Sequence, residues 1–234
     1  MVVAANSSSI LEAGDHGTWW FRPWGSPRVM AGLADRHADV TQMIRTMRAS
    51  SMVEAEQVHG ASIALIGRSR TSGVIAGCDA LVTDVPGLAL LVRTADCLPI
   101  FVTDPRRGIV AIAHAGWRGL AVSLPARLIA ALRHSAQSRP EELHVALGPA
   151  IHACCYEVGE ECSARFGRFV REAHGRRTCD LIGFAIDQLL GSGVPRERIV
   201  DSGFCTACDT GRWYSVRREG SGTGRLTSCI MIHP

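Results

Sequence analysis

Lysine is absent: all 25 basic residues of this 234-residue chain are arginine. That excludes Schiff-base catalysis, a lysine general base and the lysine of a phosphate-binding P-loop. Any anion site must rely on guanidinium forks, which suit phosphate well. No basic block occurs and the formal charge is only +3, so nucleic acid is not an expected partner. No membrane span is expected either. There is no cationic, apolar leader, since Glu12 and Asp15 fall early, so no signal peptide is expected. No Gly-x-Ser-x-Gly occurs, which argues against an α/β-hydrolase. No His-x-His pair occurs, which argues against a multinuclear copper centre. Without an internal repeat or a convincing linker, residues 1–234 read as one domain.

What is present describes an ordinary globular protein, 47% hydrophobic and 20% charged. The nine cysteines are odd in number and scattered, which favours a reducing cytoplasm over a disulfide scaffold. Residues 1–15 read as a loosely held lead. Trp19, Trp20, Phe21 and Trp24 form an aromatic cluster that anchors the edge of a core or stacks on a base or sugar. A helical pattern covers 39–52, and strands are expected at 61–66, 80–83, 87–92, 143–147, 213–218 and 228–233. Helices are expected after Trp117, with Pro125 starting or kinking the first, and over 157–172 and 179–190.

The stretch from Cys78 to Leu120 carries the most chemistry. Two β-branched apolar runs flank Asp104-Pro105-Arg106-Arg107-Gly108, and Pro-Arg suits the tip of a two-residue hairpin loop. That register sets Cys97 directly opposite His114, with Cβ atoms about 5 Å apart. A four-residue loop makes the pair diagonal, at about 7–8 Å, but keeps it on one face. Such a pair can share a metal ion, pass a proton, or simply be a buried cysteine beside a core histidine.

His59, before Gly60 at a strand boundary, is a ligand or a structural residue. With Cys97 and His114 it makes a donor set that zinc accepts, leaving a fourth position open. Covalent catalysis by Cys97 with His114 as base, oriented by Asp79 or Asp96, fits the hairpin as well. Arg118, Arg217, Arg218 and Arg225 are anion-binding candidates. Cys205-Thr-Ala-Cys208 would need a second pair to hold a structural zinc, with Cys154, Cys155 or Cys229 as the nearby options. Two half-buried thiols are expected there instead.

Ordered motifs carry more than their spacing. Gln57-Val58-His59-Gly60, Asp79-Ala80-Leu81-Val82-Thr83-Asp84, Thr94-Ala95-Asp96-Cys97-Leu98-Pro99 and Ala113-His114-Ala115-Gly116-Trp117-Arg118-Gly119 stand in sequence. Gly148-Pro149-Ala150-Ile151, Tyr156-Glu157-Val158-Gly159, Cys205-Thr206, Tyr214-Ser215-x-Arg217-Arg218 and Thr223-Gly224-Arg225 follow. Over roughly residues 55–232 they resemble the YfiH family, also labelled polyphenol oxidase or laccase-domain proteins. The resemblance implies an α+β fold: a layered sandwich of mixed β-sheets with flanking helices, as in CNF-type cysteine hydrolases. It implies zinc on His59, Cys97 and His114, with copper as the other metal. The implied reaction is purine nucleoside phosphorolysis of adenosine, inosine or methylthioadenosine, with adenosine deaminase activity beside it.

Nucleoside and phosphate would then be the partners. Asp79 or Asp96 is the expected proton-moving carboxylate, with Asp79 the candidate catalytic residue, and Arg118 or Arg217 the expected phosphate contact. A Cys–His amidase acting on a cell-wall peptide precursor, a copper polyphenol oxidase and a non-catalytic zinc-stabilised protein are the alternatives. Residues 1–54 depart from the family pattern and read as a divergent N-terminal part.

Overall fold

The computed structural model describes residues 10–22, 25–69 and 72–234. Strands β1 (Leu11–Ala13), β2 (Thr18–Phe21) and β3 (Val29–Ala34) lead into helix α1 (Val40–Met47). Seven strands follow: β4 (Ser51–Ala55), β5 (Ile63–Ile66), β6 (Ser72–Ile75), β7 (Ala80–Thr83), β8 (Leu88–Thr94), β9 (Leu98–Asp104) and β10 (Ile109–Ala115). Helices α2 (Trp117–Ala121) and α3 (Leu124–Ala136), strand β11 (His144–Leu147) and helix α4 (Glu160–Phe166) come next. The chain ends with β12 (Val170–Ala173), β13 (Arg176–Cys179), α5 (Leu181–Gly191), β14 (Ile199–Asp201), α6 (Val216–Glu219) and β15 (Leu226–Ile232).

Two mixed sheets dominate, ordered β1-β2-β3-β15-β8-β4-β6 and β14-β11-β9-β10-β7-β5. The period-two alternation of strand side chains sorts their residues into layers. Leu88, Leu90 and Val92 of the first sheet meet Leu81, Phe101, Val110 and Ile112 of the second in one buried cluster. Ala89 and Leu91 point the other way, onto Met43 and Met47 of α1. Ala80, Val82, Ile100, Val102, Ala111 and Ala113 turn outward onto α2, α3, α4 and α5. The result is a helix–sheet–sheet–helix sandwich, the α+β layering that the sequence motifs imply.

Local chemistry sets the boundaries. Asp39 caps α1, its carboxylate accepting from the amides of Thr41 (2.8 Å) and Gln42 (3.4 Å), a cap contributing about 1 kcal/mol. Pro125 falls in the first turn of α3, where its missing N–H costs nothing, and Ser123 at φ 64° separates α2 from α3. The helix expected over 157–172 is shorter. It ends at Phe166, and His174 and Gly175, both at positive φ, turn β12 back onto β13. The strand expected at 213–218 is instead the turn before α6 and the helix itself. There Ser215 Oγ accepts from the Arg218 amide and Glu219 reaches back to the Ser215 amide, a capping arrangement that overrides β propensity.

Part of the expected lead is structured: Leu11 pairs with Phe21 across β1 and β2. Trp19 packs on Phe204 and Trp213, and Phe21 on Phe101, so these rings anchor a core edge. Trp24 and the first nine residues lie outside the described residues.

The central hairpin corrects the two-residue loop. Ile109 pairs with Asp104, so residues 105–108 form a four-residue loop and His114 lies opposite Pro99. Asp104 Oδ1 accepts from the amides of Arg106 (3.1 Å) and Arg107 (3.0 Å), and Gly108 closes the turn at φ 62°. The side chain of Asp104 outweighs the preset of Pro105. Cys97 and His114 are therefore diagonal neighbours.

Candidate metal centre and cleft

His114 shares the inter-sheet face of β10 with Val110 and Ile112, but stands near the end of the strand, where that interior opens. Cys97 lies just before β9, and His59 comes over from the segment after β4. One ligand atom from each of the three residues lies within 4.8 Å of the other two. The His59 and His114 rings meet edge to face, 4.8 Å between centroids. The residues that spacing alone could not group converge.

Asp79 holds this arrangement from behind and is fully buried. Its Oδ1 is 3.0 Å from His114 Nδ1 and accepts from the His59 amide at 2.9 Å. Its Oδ2 accepts from the Gly60 amide at 2.7 Å, and its carbonyl from the His114 amide at 2.8 Å. One carboxylate thus orients two of the three candidate ligands and leaves His114 Nε2 for the metal, the usual carboxylate–histidine support. Asp79, expected to move protons, does not line the cleft; its contacts are with His114 and the amides of His59 and Gly60. Burial pushes its carboxyl up, but the hydrogen bonds from His114 and the two amides outweigh that and hold it below the ordinary value.

Backbone strain concentrates here. Gln57, His59 and Asp96 are non-glycine residues at φ 65°, 58° and 86°, each costing about 1–3 kcal/mol. Side chains hold them in place. The Gln57 amide pairs with both backbone groups of Arg93, at 2.6 and 2.7 Å. Asp96 accepts from the Thr206 hydroxyl (2.6 Å) and the Arg217 amide (2.7 Å). These supports were missed in the sequence, because each joins residues far apart along the chain.

The three candidate ligands line a cleft of about 770 Å³ together with Trp117, Tyr156, Arg217 and Arg225. Arg217 lies over the Tyr156 ring at 5.0 Å and donates to the Glu157 carbonyl. Arg225 donates to the carbonyls of Ser221, Thr223 and Gly224. Neither is ion-paired with a carboxylate among the described residues, so both keep charge for an anion. Arg118 does not line the cleft; its guanidinium lies over Trp117.

Gly116 sits so close that an added Cβ would lie 3.1 Å from Cys97 Sγ and 3.1 Å from His59 Cδ2. Gly116→Ala should therefore weaken metal binding tenfold or more while leaving the melting temperature of chelated protein within a few degrees. Titration with a competing chelator and a thermal melt check the two halves.

The thiol and imidazole perturb each other. Burial raises the Cys97 pKa, but hydrogen bonds from His114 and His59 bring it down to about 7. Burial lowers that of His114, but Asp79 and Cys97 raise it to about 9. The Cys97 contribution to stability is complete above its ordinary pKa near 9 and lost as pH falls through 7. That of His114 is complete below 6.5 and lost as pH rises through 9. Between pH 7 and 9 the two slopes cancel. Metal-free protein should show Cys97 alkylation titrating near pH 7, with no stability slope from this pair over that interval. A titration midpoint near 9 would contradict the pairing.

The donor set fits a mononuclear site. Among the described residues, the two groups placed to share an ion are this one and a cluster of four cysteines. Neither assembles the many imidazoles of a multinuclear copper centre.

Residues 22–233 match the family described as multi-copper polyphenol oxidoreductase laccase. The chain belongs to this family, the YfiH family. A purine nucleoside phosphorylase of Deinococcus radiodurans is 37% identical over 188 residues, 78% of this chain and 70% of that protein. An enzyme named adenosine deaminase RL5, from an unknown prokaryotic organism, is 32% identical over 195 residues, covering 76% and 74% of the two chains. The crystal structure of YlmD from Geobacillus stearothermophilus matches with a TM-score of 0.85 at 28% identity, over 97% of this chain and 100% of that one. The YfiH match begins at residue 22, so it reaches into the part that reads as divergent.

Proposed function

We propose that this YfiH-family chain is a zinc-dependent purine nucleoside phosphorylase working as one catalytic domain in the cytoplasm, with adenosine deamination as a second activity. Relatives bearing both names support the reading. The observation that carries it is the convergence of His59, Cys97 and His114 in a cleft where the guanidinium groups of Arg217 and Arg225 are ion-paired with no carboxylate among the described residues.

His59, Cys97 and His114 would hold the ion, with Asp79 fixing the His114 ring. Zinc, when bound, supplies Lewis-acid polarisation at this end of the cleft. Arg217 and Arg225 bind phosphate and hold its oxygen toward the ribose C1′. The C1′–N9 bond breaks as the C1′–O bond forms, and the purine leaves with the bonding pair and gains a proton. Trp117 and Tyr156 offer flat faces to the base.

Incubation of metal-replete protein with adenosine and phosphate should give adenine and ribose 1-phosphate in equal amounts, dependent on phosphate and stopped by chelation. Absence of turnover with adenosine, inosine and methylthioadenosine alike would defeat the proposal. A second reading, a Cys–His amidase, draws on the thiol lowered to about 7 beside an Asp-oriented histidine. That reading expects peptide cleavage that survives chelation, and trapping of Cys97 by an electrophile.

A further inference from the structure

Four cysteines outside the cleft come together in a way that neither reaction uses. Cys154 and Cys155 lie in the turn after β11, and Cys205 and Cys208 in the turn after β14. Their sulfurs all lie within 4.8 Å of one another, with Cys208 Sγ 3.5 Å from Cys154 Sγ and 3.4 Å from Cys155 Sγ. Zinc bound by four thiolates at about 2.3 Å spaces the sulfurs about 3.8 Å apart. A disulfide would need one pair at about 2.05 Å. The geometry points to a second metal site, a structural zinc held by Cys154, Cys155, Cys205 and Cys208.

The backbone is arranged as such a site requires. Cys155 and Tyr156 both donate their amides to the His152 carbonyl at 2.9 Å, so residues 152–156 make one helical turn. Adjacent side chains are then about 100° apart instead of the 180° of a strand, and both sulfurs of the Cys-Cys pair reach one side. Across from them the C-x-x-C segment closes with the Cys208 amide on the Cys205 carbonyl at 3.2 Å. The His152 amide donates to Cys205 Sγ at 3.4 Å. Amides aimed at a sulfur support a metal-bound thiolate. Arg218 adds positive charge, with Nη2 3.5 Å from Cys155 Sγ and Nε on the Ala207 carbonyl at 2.9 Å. Four thiolates around a divalent ion carry two net negative charges, which Arg218 offsets in part.

With four protein ligands the site is closed, the structural form of a zinc centre. It staples two turns that build the cleft wall. One bears Tyr156. The other bears Thr206, whose hydroxyl donates to Asp96 beside Cys97 at 2.6 Å. A bridge between Ala150 and Cys205 and the Thr206 amide on the Ala150 carbonyl (3.0 Å) join the turns without metal. The ion would therefore rigidify the wall without being needed to form the fold.

The test leaves this cluster intact and disables the other centre. The double variant His59→Ala/Cys97→Ala, purified with a reductant and no chelator, should retain one equivalent of zinc. Cys154, Cys155, Cys205 and Cys208 should resist iodoacetamide, mapped by mass spectrometry, until a chelator strips the ion. Replacement by cobalt should give the thiolate-to-cobalt absorption of a tetrahedral sulfur site. Adding Cys208→Ser should remove that equivalent. The proposal is overturned if the double variant binds no zinc when it is supplied in excess and the four thiols alkylate at the rate of free cysteine. Disulfides among these cysteines in the presence of reductant would overturn it equally. None of these readouts depends on the reaction in the cleft, and the zinc content, alkylation and cobalt spectrum of the double variant do not require the Cys208→Ser chain to fold.

Discussion

Cys97→Ala is expected to lower adenosine phosphorolysis about a thousandfold and to remove one equivalent of metal, with little change in fold. Losing a Lewis-acid centre forfeits several kcal/mol of transition-state stabilisation, and each 1.36 kcal/mol is a factor of ten. The side chain removed is small and sits where the sheet interior opens, so alanine leaves no large void. A steady-state assay with metal analysis on the same sample checks both effects. Near wild-type turnover by a Cys97→Ala protein that has lost this equivalent would separate the ion from the chemistry. Loss of turnover with the wild-type metal content unchanged would favour the thiol as nucleophile instead.

Asp79→Ala is expected to have the largest effect on stability. Asp79 is fully buried and satisfies His114 Nδ1 and the amides of His59 and Gly60. Truncation strands the buried His114 ring and leaves two part-buried amides without their acceptor, and breaking such a buried pair costs about 3–5 kcal/mol. For a chain of this size that is a fall of about 6–20 °C in melting temperature. Asp79→Asn separates positioning from support. Asparagine keeps the shape but presents an N–H₂ where a second acceptor is needed, so it should fold closer to wild type. It should still bind metal 10–100-fold more weakly, as outer-shell losses do. If Asp79→Asn binds metal as tightly as wild type, Asp79 does not orient His114.

Much of the architecture could be read from the residues. Strand β7 lies where the apolar run Ala80–Thr83 places it, and the Cys97–His114 hairpin exists because two short β-branched runs flank a turn. The misread segments share one cause, the local chemistry of particular residues. Asp104 lengthened the hairpin loop, Ser215 and Glu219 made helix of an expected strand, and Gly167, at φ 47°, ended an expected helix after Phe166. On an extended segment the side chains of Cys154 and Cys155 would diverge; the turn at residues 152–156 brings them together.

By itself the sequence determined the family, because motif order is a property of the chain, and that resemblance implied the layered α+β class and named the three candidate ligands. Tertiary structure alone decided that His59 meets the hairpin, that Asp79 stands behind His114 instead of in the cleft, and that four cysteines from two turns converge. Those outcomes depend on how two sheets register against each other, through contacts between residues tens of positions apart, and no local spacing encodes that registration.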